Sequence, residues 1–384
     1  MITILIGADI CPIGGNRPYF MAGDAQSLLN DLRVEFEQTD LCIANLECPL
    51  IETPCPILKT GPIFGEPNAV INGLKHAGVD VLALANNHIL DHGTPGLKNT
   101  LAVCASAGIA TVGAGENLQA ARRILIRDVG GLRIGILAVA EHEFSIATSC
   151  AAGANPLDLI DFVRNITRNR KSCDYLIVLL HGSDEFFVPT PRIKDTCHFM
   201  VEMGVNAVIV QHPHCLGAYE EYKSCHIVYG QGALIMDEAI YRNRKSFHEG
   251  FLVKLRIAQD ARSSMEILPF VQSDPLPGAR RMNPERERQF LQSLLEKCNA
   301  VKDDAWVQAQ WRSFCEGRKH SYLSSLLGHN RVLSKLNAKG LVAKFVHGKR
   351  SLLRAKNTAC CETHREAIET IFSRPCALHS SNRG

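Results

Sequence analysis

Nowhere in its 384 residues does the sequence approach the roughly 18 consecutive apolar positions of a bilayer-crossing helix, which excludes a spanning helix of ordinary length. The opening segment MITILIGADI lacks a basic n-region and a small-residue cleavage site, so it reads as a strand, and a soluble, cytoplasmic chain is expected. Paired CxxC spacings are missing as well. The 15 cysteines are scattered and odd in number, which speaks against a zinc knuckle or a disulfide framework; free thiols are expected. There is no internal repeat and no low-complexity segment. Acidic residues are absent from positions 317–361, a stretch that carries ten Lys/Arg.

What the chain has in quantity is apolar residues, 46% of the total, enough for a substantial core in one large or two ordinary domains. Its net charge of +3 conceals an uneven distribution. Residues 280–384 hold 20 Lys/Arg against 9 Asp/Glu, whereas residues 1–279 hold 22 against 30. The expected division is an α/β domain over 1–275 and a basic helical region over 280–384.

In the first part, near-continuous apolar strands alternate with helices. The strands are ITILIGA (2–8), LCIANLE (41–47), VDVLALA (79–85), IATVGAG (109–115), YLIVLLHG (175–182) and NAVIVQHPH (206–214). Helices are expected around 25–37, 67–77, 94–107, 157–168 and 191–203. This alternation predicts a largely parallel sheet covered on both faces. RILIRDVGGLRIGILAVAE predicts a hairpin turning at Gly130–Gly131. The strands SCHIVYGQGALI, FLVKLRIA and MEILPFVQ close the α/β part near 272, and helical periodicity takes over from 283, with an amphipathic run at 284–298.

Five of these strands finish in residues suited to a metal or a phosphate: Asp9; Asn45 and Glu47; Asn86, Asn87 and His88; His181; and His212 with His214. Singly, each has a plain explanation. A histidine after a strand is ordinarily a loop group, Asp9 could cap a turn, and Asn86 or Asn87 could brace a bend through side-chain bonds to the backbone. Their joint placement is what counts, because α/β sheets bind ligands beyond the carboxyl ends of their strands. Two carboxylates, one or two amide oxygens and three or four imidazoles form a mixed N/O set. Such a set suits Mn, Zn or Fe better than Ca, and without thiolates it is unlike a structural zinc site. One or two divalent transition-metal ions are therefore expected. Two ions about 3.5–4 Å apart need a bridging carboxylate, a role that suits Glu47.

The segments GADICPIGGNR, LCIANLECPL, GVDVLALANNHILDHGTPGLKNTL, GIATVGAGENLQAARR, VLLHGSDEF and VIVQHPHCLGAYEEY occur in this order between residue 3 and about residue 240. Together they resemble the CapA-type capsule-synthesis (poly-γ-glutamate synthesis) proteins, a branch of the calcineurin-like metallophosphoesterases. The resemblance implies a four-layer α/β/β/α sandwich with a metal site at the strand ends. It implies Asp9 as the first-motif metal carboxylate, Glu47 as the bridge, Asn87 as the metal-binding amide, and His181, His212 and His214 as the remaining ligands. His88 becomes the residue beside the scissile group, protonating the leaving oxygen or stabilising charge, and Asp91 orients it. Asn45, Asn86, Glu185 and Tyr229 are candidates for supporting the ligands or touching substrate. The chain departs from the wider pattern in three places. It has Asp9-Ile10-Cys11 where general metallophosphoesterases have DxH, His181-Gly182-Ser183 where the family usually shows HWG, and Tyr229-Gly230-Gln231-Gly232-Ala233-Leu234 in place of YSLGNF.

Two main functions follow: a metal-dependent hydrolase acting on a phosphoester or on a capsule-related polymer or intermediate, or a non-catalytic accessory protein of capsule or exopolysaccharide assembly. A third possibility is a purely structural α/β protein with core histidines. The partners expected are an anionic polymer or phosphorylated substrate and the assembly proteins themselves. In the basic tail, Leu333, Leu336, Phe345, Val346, Leu352 and Leu353 recur at helix-compatible intervals. Segment 317–361 could thus lie on the anionic inner membrane face, hold an anionic polymer, or pack as a helical cap, with Gly340 and Gly348 interrupting any single helix. Nucleic acid is not an expected partner, since aromatic residues are sparse there and no binding motif is present.

Overall fold

In the computed structural model, the described residues are 1–184, 189–327 and 330–338, with scattered positions beyond these as far as residue 364. The chain divides into two compact units, Met1–Gln308 and Ala309–Gly384.

The first unit contains two large sheets. One runs Ala279–Arg281, Ser263–Gln272, Glu249–Ile257, Ile2–Ile10, Leu41–Leu46, Val81–Ala83 and Ala110–Val112 in spatial order, with Ala233–Ile235 also paired to Ile2–Ile10. The other runs Tyr219–Tyr222, Cys225–Val228, Ala207–Gln211, Tyr175–His181, Leu132–Ala140 and Leu125–Val129. Each is mixed. Ile2–Ile10, Leu41–Leu46, Val81–Ala83 and Ala110–Val112 are parallel, as are Leu132–Ala140, Tyr175–His181 and Ala207–Gln211, while antiparallel strands complete the edges. The single, largely parallel sheet suggested by the strand–helix alternation is thus replaced by two.

Period-two burial explains why they stack. Along the second sheet Ile134, Ile136, Ala138, Ile177 and Ile209 join the main core together with Ile4, Ile6 and Val253 of the first. The intervening Leu137, Val139, Val178, Val208 and Val210 form a separate core with Phe162, Ile166, Ile193 and Met200. Those last four come from helices Leu159–Asn169 and Pro191–Glu202. On the far side of the first sheet the main core continues into Phe20, Leu28, Leu74 and Leu97 of the helical segments there. Helices, sheet, sheet and helices therefore make the α/β/β/α sandwich. The central parallel strands Leu41–Leu46, Tyr175–His181 and Ala207–Gln211 bury both faces, which is why they read as unbroken apolar runs.

Several elements differ from the sequence expectation for local reasons. The helix expected over 25–37 breaks at Asn30, whose φ of +47° is outside helical geometry. The strand expected over 79–85 ends at Ala83, and the chain turns to present Asn86–His88. The single strand expected over 224–235 is two, Cys225–Val228 in the second sheet and Ala233–Ile235 in the first. Gly230 (φ +140°) and Gly232 (φ +84°) allow that crossing. Between them, the Gln231 amide donates to the carbonyls of Ile6 (3.0 Å) and Phe251 (3.1 Å).

The first unit also extends past the expected 275–280 boundary. Ala279–Arg281 pairs with Ser263–Gln272, and helix Pro284–Ala300 places Phe290 and Leu294 in the main core. Helix Asp304–Leu326 begins before the division at Gln308. In the second unit helix Arg331–Asn337 is capped by the Asn330 side chain, and Asn337 donates to Ser324 Oγ at 3.0 Å. Leu333 and Leu336 are exposed on it, while Phe345 and Val346 lie outside the described residues. Among the described residues no helix is long and apolar enough to cross a membrane, and the cysteines there are free thiols.

Candidate metal centre

The parallel register brings the strand ends together. Asp9 pairs with Asn45 across neighbouring strands, and the Glu47 amide donates to Ile10 O at 2.9 Å, so both carboxylates emerge at the same rim. From the facing sheet come His181, the last residue of its strand, and His212 and His214, just after Ala207–Gln211. All five side chains are buried.

Two three-residue donor groups result, each with ligand atoms within 4.8 Å of one another: Glu47, His181 and His212, and Asp9, Glu47 and His214. Glu47 belongs to both. Its Oε1 is 3.4 Å from His181 Nε2, and its Oε2 is 3.0 Å from His214 Nε2. Asp9 Oδ2 is 3.5 Å from His214 Nε2 and accepts the His212 backbone amide at 2.8 Å. Asn87 Oδ1 is 3.1 Å from His181 Nε2, so its amide oxygen borders the first group.

The loop after Gln211 is held in unusual backbone geometry. His212 has φ +93° and His214 φ +44°, on either side of Pro213. Such conformations cost of the order of 1–3 kcal/mol each in non-glycine residues and persist where surroundings enforce them. Here the Asp9–amide bond anchors the first of them, and the outcome is two imidazoles turned toward one carboxylate.

The electrostatics match the donor set. Burial opposes ionisation of Glu47, but His214, His181 and His212 outweigh it and hold the carboxyl well below its usual range. Burial likewise opposes charge on His214 and His212, yet Glu47 reverses the sign in both and Asp9 reinforces it at His214, so both imidazoles are held above their usual range. The buried carboxylates thus demand positive charge beside them. A divalent cation fits that demand. His212 Nδ1 and His214 Nδ1 are moreover buried with no hydrogen-bond partner among the described residues, unusual for buried polar atoms. Cys11, two residues after Asp9, is fully buried; burial and then its hydrogen bond with Cys48 push its thiol well up, so it offers no thiolate.

Around the donors lies a supporting layer. Asn45 Nδ2 donates to Asp9 Oδ1 (2.7 Å), and Asn86 Nδ2 donates to Asn45 Oδ1 (3.1 Å) and Leu46 O (2.8 Å). Asn86 Oδ1 in turn accepts the His88 amide at 3.1 Å. His88 Nδ1 lies 2.6 Å from Asp91 Oδ2, which leaves Nε2 as the ring's second functional atom.

Of the residues singled out from the sequence, the structure gathers Asp9, Asn45, Glu47, Asn86, Asn87, His88, Asp91, His181, His212 and His214 into this region. Tyr229 is a correction. Its side chain belongs to the core beneath the second sheet and its hydroxyl donates to Glu220, because the residue falls on the opposite face from the strand-end cleft. Glu185 lies outside the described residues.

Sequence reading missed Lys59. From the proline-rich loop, its ammonium reaches Asp91 Oδ1 at 2.6 Å and the Asn87 carbonyl at 3.3 Å, with its side chain 2% exposed. The same loop supplies Phe64, whose amide donates to Asp91 Oδ2 at 2.8 Å and whose ring lies 4.5 Å from that of His88. Glu143 was also missed; it accepts from Asn87 Nδ2 at 3.1 Å.

Fold and site define an α/β/β/α sandwich with a candidate metal centre where the two sheets' strand ends meet. Residues 4–238 match the family described as "Bacterial capsule synthesis protein PGA_cap", and the chain belongs to that family. It is similar to "Capsule biosynthesis protein CapA" of Bacillus anthracis, 26% identical over 273 residues, which cover 69% of this chain and 62% of that protein. It is also similar to "PGA biosynthesis protein CapA" of Bacillus subtilis strain 168, 27% identical, with 59% of this chain and 60% of that protein covered. A "Probable polyglutamine synthesis accessory protein" of Mycobacterium tuberculosis is 30% identical, with 58% and 62% covered. The match therefore spans less than two thirds of each relative's length. Among solved structures, a 5'-nucleotidase precursor of Thermus thermophilus aligns with a TM-score of 0.40 at 11% identity, covering 77% of this chain and 58% of that one. A hypothetical protein of the same organism aligns with a TM-score of 0.46 at 15% identity, covering 70% and 99%.

Proposed function

We propose that this chain is a metal-dependent hydrolase of phosphoesterase type that serves the synthesis of a capsule, a poly-γ-glutamate or a related exopolysaccharide polymer. The observation that carries this reading is the pair of buried donor groups sharing Glu47. Asp9, Glu47, Asn87, His181, His212 and His214 would hold one or two divalent ions of the Mn, Zn or Fe kind. Such an ion, when bound, polarises a phosphoryl oxygen and acidifies a water.

The chain's own residues do the rest. Asp91 accepts at His88 Nδ1, fixing the ring so that Nε2 can pass a proton to a leaving oxygen. Lys59 and the Phe64 amide hold Asp91 in turn, so the acid is oriented by a buried network that excludes water. Asn45 and Asn86 hold Asp9 and the turn before His88. The capsule assignment is supported by family membership, and the hydrolytic one by the donor set.

A second reading is a non-catalytic accessory protein that binds an anionic polymer or precursor. It is favoured by Cys11, a protonated, buried thiol in place of a metal-binding imidazole. In either case the basic segment 317–361 would hold the protein to that polymer or to the inner membrane face.

The test is elemental analysis joined to turnover of a chromogenic phosphodiester with Mn or Zn supplied. Bound metal with turnover that vanishes in His88→Ala supports the hydrolase. Bound metal with no turnover of phosphomonoesters, phosphodiesters or capsule polymer sinks it in favour of the accessory reading.

A further inference from the structure

The segment GAGENLQAARR, residues 113–123, takes no part in the metal centre, yet its backbone is closely specified. Gly113 has φ +88°, and a Cβ there would meet Ala138 Cβ at 2.6 Å. Gly115 packs so tightly that a Cβ would fall 2.6 Å from Ala120 Cβ. Asn117 Oδ1 accepts the Ala120 amide at 3.0 Å, capping the short helix Leu118–Ala121. This compact turn delivers Arg122 and Arg123 to the mouth of a groove of about 470 Å³, which is also lined by the edge strand and by helix Leu159–Asn169. Asn165 Nδ2 donates to Arg122 O at 2.7 Å and fastens the turn to that helix.

The helix adds Arg164 and Arg168, one turn apart on one side. Among the described residues the only acid in the groove lining is Asp161, shared between Arg122 (3.3 Å) and Arg164 (3.4 Å). Arg123 and Arg168 are exposed, and their guanidinium groups have no partner among the described residues. The groove therefore carries an excess of positive charge, with two of its four forks free.

We propose that this groove binds a linear polycarboxylate of the glutamate-polymer class through Arg122, Arg123, Arg164 and Arg168. Guanidinium forks match carboxylates two N–H groups at a time. Asp161 already places a carboxylate between two of these arginines. Ile124 and Ile126 give an apolar wall for the polymer's methylene groups. Among the described residues no aromatic side chain lines the groove, so nucleic-acid bases have no surface on which to stack. A concave groove also suits a chain better than a flat lipid surface. The choice of polymer rests on the capsule reading above, whereas the groove shares no residue with the metal centre.

The experiment is fluorescence anisotropy of the full chain with labelled poly-glutamate. Saturable binding that weakens by at least about tenfold (some 1.4 kcal/mol) in Arg123→Glu/Arg168→Glu supports the groove. Arg123→Gln/Arg168→Gln guards against misfolding: it should weaken binding with an unchanged thermal melt. Three results would overturn the proposal. One is wild-type affinity in both double variants; another is binding lost only on Arg331→Glu/Lys335→Glu in the basic tail. The third is equally tight, equally variant-sensitive binding of oligothymidylate or anionic vesicles. Because binding and not turnover is read, a groove that holds polymer on an inactive protein counts against the hydrolase alone. An active hydrolase with a groove indifferent to polymer counts against this proposal alone.

Discussion

Glu47 and His214 follow strands of different sheets, yet Oε2 of one and Nε2 of the other stand 3.0 Å apart. The other oxygen of Glu47 faces His181 Nε2 at 3.4 Å. One carboxylate thus serves both donor groups. Glu47→Gln should weaken metal binding at both, on the order of 100-fold or more, beyond what loss of an outer partner causes. Calorimetric titration with Mn or Zn reads this directly. A variant that keeps one full-affinity equivalent would show that the groups do not share the residue.

The raised basicity of His212 and His214 has a sign that can be tested. Glu47 overcomes the effect of burial at both, so in the metal-free protein they hold protons above the usual histidine range. A protonated imidazole cannot be a ligand, so metal uptake must expel those protons. Apparent affinity should therefore rise with pH through and beyond about 6.5, the ordinary histidine value. Calorimetry in two buffers of different ionisation heat should detect the released protons, and a pH-independent affinity would contradict the assignment. At free metal near 100 times Kd the protein should gain about 2.7 kcal/mol of stability, seen as a higher Tm.

The Lys59–Asp91 pair is buried on both sides, at 2% and 0% side-chain exposure. Lys59→Ala leaves that carboxylate without its cation and should cost roughly 3–5 kcal/mol in denaturant unfolding. Asp91→Asn keeps the shape but loses the charge that His88 and Lys59 both contact. The fold should survive, while hydrolytic turnover drops by about 10²–10⁴, the span attributed to a positioned acid. Full turnover in Asp91→Asn would remove His88 from the proposed role.

Tyr229→Phe separates core from cleft. It deletes the hydroxyl that donates to Glu220, which retains contact with His198. A loss of about 1–3 kcal/mol in stability is expected, with metal affinity unchanged. A variant defective in metal binding would return Tyr229 to the site.

Much of the site was legible because strands buried on both faces announce themselves as apolar runs, and their polar endings then stand out. His181 and the His212-Pro213-His214 triplet are visible on that basis alone. Tyr229 misled because it too follows an apolar run, but the alternation along Cys225–Val228 directs it to the opposite face. Lys59 was hidden for a different reason: in a loop rich in proline, periodicity says nothing about which side chains turn inward. The second sheet was obscured because strand–helix alternation has the same signature whether strands join one sheet or two. The extent of the first unit was misjudged because the short strand Ala279–Arg281 lacks a periodic signal, and its pairing is decided by a partner in the tertiary structure.

The chain passes from one sheet to the other between Cys225–Val228 and Ala233–Ile235, and there Gln231 grips two strands of the destination sheet at once. That stitch ties the sandwich's halves together within the same polypeptide segment. A covalent link this short, anchored at its arrival on two strands, resists separation of the wall that carries the histidines from the wall that carries the carboxylates.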